Sequence, residues 1–313
     1  MLSFSYTISL QLRETLNTIT RLRTQILALP LPTKTETKLA WEGIAIRTWA
    51  TLSLAGLDAP KHEVATILAN PVKPTQAIEK ILGLRHAYDV IHTEWRANPR
   101  PVSIPALETL FHLAYPHSND TRSFTTLEPS LKELLAYLAA QEEHPIIQAA
   151  IAHMHVLTMP LFEAPGVFAR LTHYLFLAKY GFDIRGYVTP ERVWQGDPTT
   201  YQRLIDAYIK DRSLTRWLEY IAQSMQTNLE TTLTDIQESR FHIEYPAAFW
   251  ELSDRQKEIL ALMDAPETSI TNRHIHKRFK VSQITASRDL AKLTSLGLLY
   301  PHGKGRAVYY TKI

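Results

Sequence analysis

"TMPLFEAPGVFARLTHYLFLAKYGF", residues 158–182, is the stretch whose reading decides the fold. It runs from the end of one helix, through a tight loop marked by Pro160, Pro165 and Gly166, into a second helix that is long and apolar. Upstream, Ile147, Ala150, Ile151, Met154 and Leu157 recur at helical spacing and predict a helix over 145–158, ended by Pro160. Downstream, Phe168, Leu171, Leu175 and Ala178 form the next stripe, and Gly181 stands where a left-handed C-terminus is wanted. Both helices belong in a core. A helix start of this kind presents free N–H groups and a positive dipole end, which often hold a phosphate.

The pattern continues outward. Leu12, Leu16, Ile19, Leu22 and Ile26 give an amphipathic helix before the Leu-Pro-Leu-Pro break at 29–32, and further helices are expected near 36–54, 61–69, 75–96, 104–114 and 128–141. Glycine is scarce, 10 of 313 residues, in keeping with a mainly α fold. The length predicts two or three domains. No apolar run approaches the roughly 20 residues of a membrane span, so no membrane partner is expected. The first residues lack a basic patch before an apolar stretch, and a cytoplasmic location is expected. The absence of cysteine excludes disulfides and thiolate zinc sites. His153 and His155 lie about 200° apart around a helix. No metal site follows from them, and the six tryptophans are expected in the core. "EEH" at 142–144 is expected to be a solvated helix start, and His274 and His276 to add charge to a basic helix.

Charge divides the chain. Residues 271–313 hold nine Lys or Arg against one acid, net +8, whereas residues 1–270 hold 25 against 30, net −5. A basic module over 250–313 is therefore joined to a mildly acidic body. In it Ser253 and Thr271 are placed to cap two helices, and a third is expected from Gln283 to Leu296. "GLLYPHGKGRAVYYTKI" then predicts two short strands around a glycine-rich turn. Three helices and a hairpin make a winged helix. "VSQITASRDLAKLTSLGLL" resembles the helix-turn-helix of bacterial winged-helix regulators. Double-stranded DNA is the expected partner, met by Ser282, Gln283, Thr285, Ser287, Arg288 and Lys292 on the third helix and by Lys304 and Arg306 on the wing. The competing use of such a module is protein docking.

The body resembles the Fic family. "EEHPIIQAAIAHMHVLTMPLFEAPGVFARL" is similar to its core, whose loop reads H-P-F-x-D-G-N-G-R-x-x-R, and "LTRWLEYIAQSM" at 214–225 agrees with Fic sequence. The resemblance covers about residues 1–230. It implies a helical bundle, with an N-terminal helical region over 1–95 and a core over 96–240 that carries the loop at 159–170. It also implies descent from enzymes that transfer AMP from ATP to protein hydroxyls. On the ungapped match Met159 stands at the catalytic His, Glu163 at the magnesium-holding acid, Gly166 at a loop glycine and Arg170 at the final Arg.

The departures have chemical consequences. A general base needs a group that titrates near neutral pH, and the Met159 thioether does not titrate. Pro165 lacks the N–H that a phosphate nest requires, and Val167 removes a positive charge. No catalytic residue is assigned. Glu163, Gly166 and Arg170 remain as candidates for Mg-ATP, with Glu163 the candidate metal ligand; alternatively Glu163 and Arg170 simply pair at the helix start. Many Fic proteins carry an inhibitory helix with S/T-x-x-x-E-G/N, and "TLSLAG" over 51–56 fits that frame with Ala55 at the Glu position. The family's target-docking hairpin would fall between about Leu113 and Leu127, where the text is short and polar. The leading expectation is a homodimeric DNA-binding regulator on a catalytically degenerate Fic fold, with a possible protein partner. The alternative is a nucleotide-binding protein or residual AMP transferase.

Overall fold

The computed structural model describes residues 2–29, 31, 33–57, 59–70, 73, 75–98, 100–116, 121–140, 142–159, 165–241, 252–263, 269–296, 298–303 and 308–312. Contacts divide the chain into two units, Met1–Ile236 and Gln237–Ile313.

The first unit is helical. In order come α1 (Leu10–Ala28), α2 (Thr33–Ser53), α3 (Lys61–Ala69), α4 (Gln76–Glu94), α5 (Ile104–Ala114), α6 (Thr121–Ala140), α7 (Pro145–Leu157), α8 (Pro165–Lys179), α9 (Glu191–Gly196), α10 (Pro198–Asp211) and α11 (Thr215–Phe241). Helix α1 buries the five residues its spacing selects and is capped by Ser9, whose hydroxyl accepts the Leu12 N–H. Thr75, Ser103 and Asp197 cap α4, α5 and α10 in the same way.

Helices α7 and α8 form the centre. Ala149, Ala150 and Ala152 are fully buried on α7, and their small side chains let α8 approach closely. Every residue of α8 from Val167 to Ala178 is buried. Helix α8 ends in a Schellman pair: Phe182 N–H donates to the Leu177 carbonyl, and Gly181 takes φ +68°. Beyond it Ile184, Arg185 and Gly186 all have positive φ, and the turn presses on α2, where a β-carbon at Gly43 would lie 2.1 Å from the Gly186 carbonyl oxygen. Only glycine fits at position 43.

Two local expectations are corrected. The helix expected from 128 begins at Thr121 and runs through Pro129. Where the docking hairpin of the Fic family would fall, the described residues include the end of α5 and the start of α6, in keeping with the short, polar sequence there. Residues 117–120 of that region lie outside the described residues. Glu143 and His144 are not a solvated start: Glu143 accepts the Tyr6 hydroxyl at 2.7 Å, and His144 Nδ1 caps α7 by accepting the Ile146 N–H.

The second unit contains α12 (Asp254–Ala261), β1 (Ser269–Thr271), α13 (Asn272–Phe279), α14 (Gln283–Ser295), β2 (Leu299–His302) and β3 (Tyr309–Lys312). Its sheet is antiparallel with order β1-β3-β2, so a third strand joins the expected pair. Ser253 forms a full capping box with Gln256 at the start of α12, and Thr271 caps α13. Ile259, Ile275, Ala286, Leu290, Leu293 and Leu299 form a core of its own. No helix among the described residues is long and apolar enough to cross a membrane.

Candidate functional site

The loop between α7 and α8 is reached from both sides. Thr158 closes α7, and Met159 follows with its side chain buried at 6% exposure. Residues 160–164, Glu163 among them, lie outside the described residues. Helix α8 opens on Pro165, which brings no N–H. The Phe168 N–H is already taken: it donates to the Tyr115 hydroxyl at 3.1 Å. A β-carbon at Gly166 would meet Arg170 Nη1 at 2.9 Å, so the guanidinium lies across the first turn of α8. Of the donors that could cradle a phosphate at this helix start, the one at position 165 is missing and the one at Phe168 is occupied.

Arg170 points inward and is 1% exposed. Its Nη2 donates to the Thr51 carbonyl at 2.8 Å and its Nη1 to the Tyr201 hydroxyl at 3.4 Å. Thr51 sits in the last turn of α2, where carbonyls lack helical partners. The Ala55 N–H turns to Leu52 instead, which leaves the Thr51 carbonyl to Arg170. A cation at a helix C-terminus is electrostatically favoured. Ala55 itself is exposed in the turn beyond α2 and offers only a methyl group.

Behind Arg170 lies a buried polar cluster. Tyr201 shares a 2.8 Å hydrogen bond with His153 Nε2. Burial, then His173 and Arg170, hold the His153 imidazole neutral by lowering its pKa well below the usual value. Burial likewise lowers His173 to about 4. Arg47 and Glu191 are both fully buried, with Arg47 Nε 3.9 Å from Glu191 Oε1. Burial raises the Glu191 pKa, against the pull of Arg47 and Arg170. Arg47 also lies 3.9 Å from the Tyr174 ring centroid and donates to the Gly186 and Val188 carbonyls. Tyr115, Tyr201, Arg47 and Glu191 were not singled out by the sequence, and Thr51 was noted only as the first residue of the 51–56 frame. The available signal was the polar trio Arg47, Thr48 and Thr51, all buried on one stripe of α2.

The chemistry of this arrangement is limited. Met159 carries no transferable proton, His153 is sealed from solvent, and Arg170 directs its two terminal nitrogens to Tyr201 and Thr51. Trp194 and Trp217 pack in the same core, as expected of the tryptophans. His155 is bonded to Ser130, apart from His153.

In the second unit, Ser282 caps α14 by accepting the Thr285 N–H, and its hydroxyl also bonds Thr285 Oγ1 at 2.9 Å. Ser287 Oγ bonds Asn272 Nδ2, and the same amide group donates to the Gln283 carbonyl at 3.1 Å. Gln283, Arg288 and Lys292 are exposed, whereas Thr285 is half-buried. Asp289, the one acid of residues 271–313, is buried beneath them and bonded to Arg255 and Gln256. Ile284, unnoticed in the sequence because apolar residues default to the core, is 67% exposed. His276 Nδ1 is hydrogen-bonded to the Val281 carbonyl. Lys304 and Arg306 lie outside the described residues.

No protein-family model matches this sequence, and no curated protein matches it. Solved structures do match. A Fic family protein from Desulfovibrio desulfuricans aligns with 100% of this chain and 98% of its own, at TM-score 0.68 and 13% identity. A Fic-1 fragment from C. elegans aligns with 71% of each chain at TM-score 0.58 and 18% identity. A Fic domain containing signaling protein from Bacteroides thetaiotaomicron aligns over 75% of this chain and all of its own, at TM-score 0.58 and 13% identity. At such identities the likeness is one of architecture, and the architecture of this chain is the Fic fold.

Proposed function

We propose that this protein is a DNA-binding transcriptional regulator, located in the cytoplasm and acting as a homodimer. In this reading its Fic-fold body serves dimerisation, ligand sensing or partner binding, and not nucleotidyl transfer. The observation that carries the reading is the outer face of α14, which presents Gln283, Arg288 and Lys292 while the one acid of that helix, Asp289, is buried and paired. The order helix, strand, helix, helix, strand, strand supports a winged helix, with α14 as the element for the major groove. In that groove Arg and Gln reach base edges, and Lys holds phosphate.

The condition of the loop supports a silent body. Met159 replaces the base, and Arg170 is engaged with Thr51 and Tyr201. The test has two arms. The full chain binds selected duplexes with an affinity that falls with salt, and Arg288→Ala weakens that binding. Incubation with magnesium and labelled nucleoside triphosphates, ATP included, gives neither label transfer nor a thermal shift. Unchanged duplex binding by Arg288→Ala removes α14 from the interface, and transfer of label removes the silent body.

A further inference from the structure

We propose that Ile284 reads a thymine C5-methyl group, so that a T·A base pair at a fixed place in each half-site is required for tight binding. The inference rests on the DNA-binding reading above and adds a specificity-determining residue to it.

Position comes first. Ala286, Asp289, Leu290 and Leu293 form the buried side of α14. Ile284, Arg288, Ala291 and Ser295 follow one another at i, i+4, i+7 and i+11, on the line directly opposite. Ile284 is therefore at the crest of the helix, on its second residue, and recognition helices address bases with their N-terminal residues. The helix start is held in place by Asn272, which bonds both the Gln283 carbonyl and the Ser287 hydroxyl.

Chemistry selects the ligand. The surroundings of Ile284 are polar and basic, with exposed Gln283 and Arg288 on either side, and no exposed acid lies among the described residues of 271–313. Such a surface suits a polyanion better than an apolar protein groove. Among the base edges of unmodified DNA, the apolar group in the major groove is the thymine methyl. A β-branched side chain in a helix is confined to one χ1 rotamer, so ordering it on contact costs little entropy. An isoleucine at 67% exposure loses nothing by this contact and gains the burial of its methyl groups.

The test begins with duplexes selected from a random pool by the full-length protein. Each thymine of the selected site is then replaced in turn by deoxyuridine, which keeps base pairing and removes only the methyl. Wild-type protein is expected to lose about three- to fivefold in affinity at one thymine per half-site, the worth of one buried methyl group. Ile284→Ala is expected to bind the thymine and deoxyuridine duplexes equally while keeping the wild-type salt dependence. Salt-dependent binding that tolerates deoxyuridine everywhere, or an Ile284→Ala protein that still discriminates, overturns the role of Ile284 and leaves the DNA-binding reading intact. Failure of wild type to bind any duplex overturns both.

Discussion

The Arg170 guanidinium donates to the Thr51 carbonyl across 2.8 Å, tying α8 to the last turn of α2. The motif that resembles an inhibitory helix begins at this same threonine. In that frame an acid at position 55 would take the final loop Arg; here Ala55 is exposed, and the backbone of Thr51 receives the cation. The acceptor that α2 offers to Arg170 is a neutral carbonyl.

Arg170→Met tests this tie. The replacement fills similar space and leaves the buried Thr51 carbonyl and Tyr201 hydroxyl without their donor. An unpaired buried acceptor costs about 1–3 kcal/mol. Urea unfolding of the full chain should show the body less stable by about that amount, with Arg170→Lys intermediate because a point charge cannot serve both acceptors. Wild-type stability in Arg170→Met would mean that the hydrogen bonds to Thr51 and Tyr201 contribute nothing.

Gly43→Ala is expected to be among the most damaging single-methyl changes in the body. The new β-carbon would stand 2.1 Å from the Gly186 carbonyl oxygen, which belongs to a turn already fixed by three consecutive positive φ angles. Overpacking of this kind costs about 1–3 kcal/mol. Gly196→Ala is the control, since a β-carbon there meets nothing within 4 Å. Equal melting temperatures for the two variants would refute the close approach of α2 to the 184–186 turn.

Much of this body was legible in the sequence. The stripes of α1, α7 and α8 announced themselves because a helix that packs on one core must repeat its apolar residues at threes and fours. The caps at Ser253 and Thr271 were equally readable, since a cap is a local event. The contacts that Arg170 and the start of α8 make were not. Thr51 and Tyr115 lie 119 and 53 residues from Arg170 and Phe168, the residues they engage, and nothing local marks a backbone carbonyl as an acceptor. Strand β1, three residues long, carries too little pattern to be seen. The early start of α6 was hidden by polar text and an internal proline.

Stability should fall as the solution is acidified below the ordinary histidine pKa. Burial lowers His144 to about 4, and its Nδ1 must stay unprotonated to cap Ile146. The unfolded chain therefore binds this proton before the folded one does, and the contribution is complete above about 6.5 and lost progressively towards 4. Asp183 and Glu191 titrate in the opposite sense, because burial raises their carboxyl pKa values. The measurement is accordingly a difference. His144→Asn keeps a capping oxygen without the titration, and its urea midpoint should depend less steeply on pH than that of wild type between 6.5 and 4. Parallel pH profiles would remove His144 from the acid response.

Asp289 gives the second unit a distinct vulnerability. Its carboxylate lies 2.6 Å from Arg255 Nε and 2.8 Å from Gln256 Nε2, joining α14 to the start of α12. The same side chain is 4% exposed, so it adds almost nothing to the surface field of the basic face. Asp289→Asn keeps the shape, removes the charge, and weakens a charge-assisted bond worth about 1.5–3 kcal/mol. Limited proteolysis should cut the C-terminal unit faster in this variant and leave residues 1–236 as resistant as before. Duplex affinity, measured at temperatures where the variant remains folded, should stay near the wild-type value, because the acid faces Arg255 and not the groove. A large gain in affinity from Asp289→Asn would show instead that this carboxylate is felt at the DNA surface.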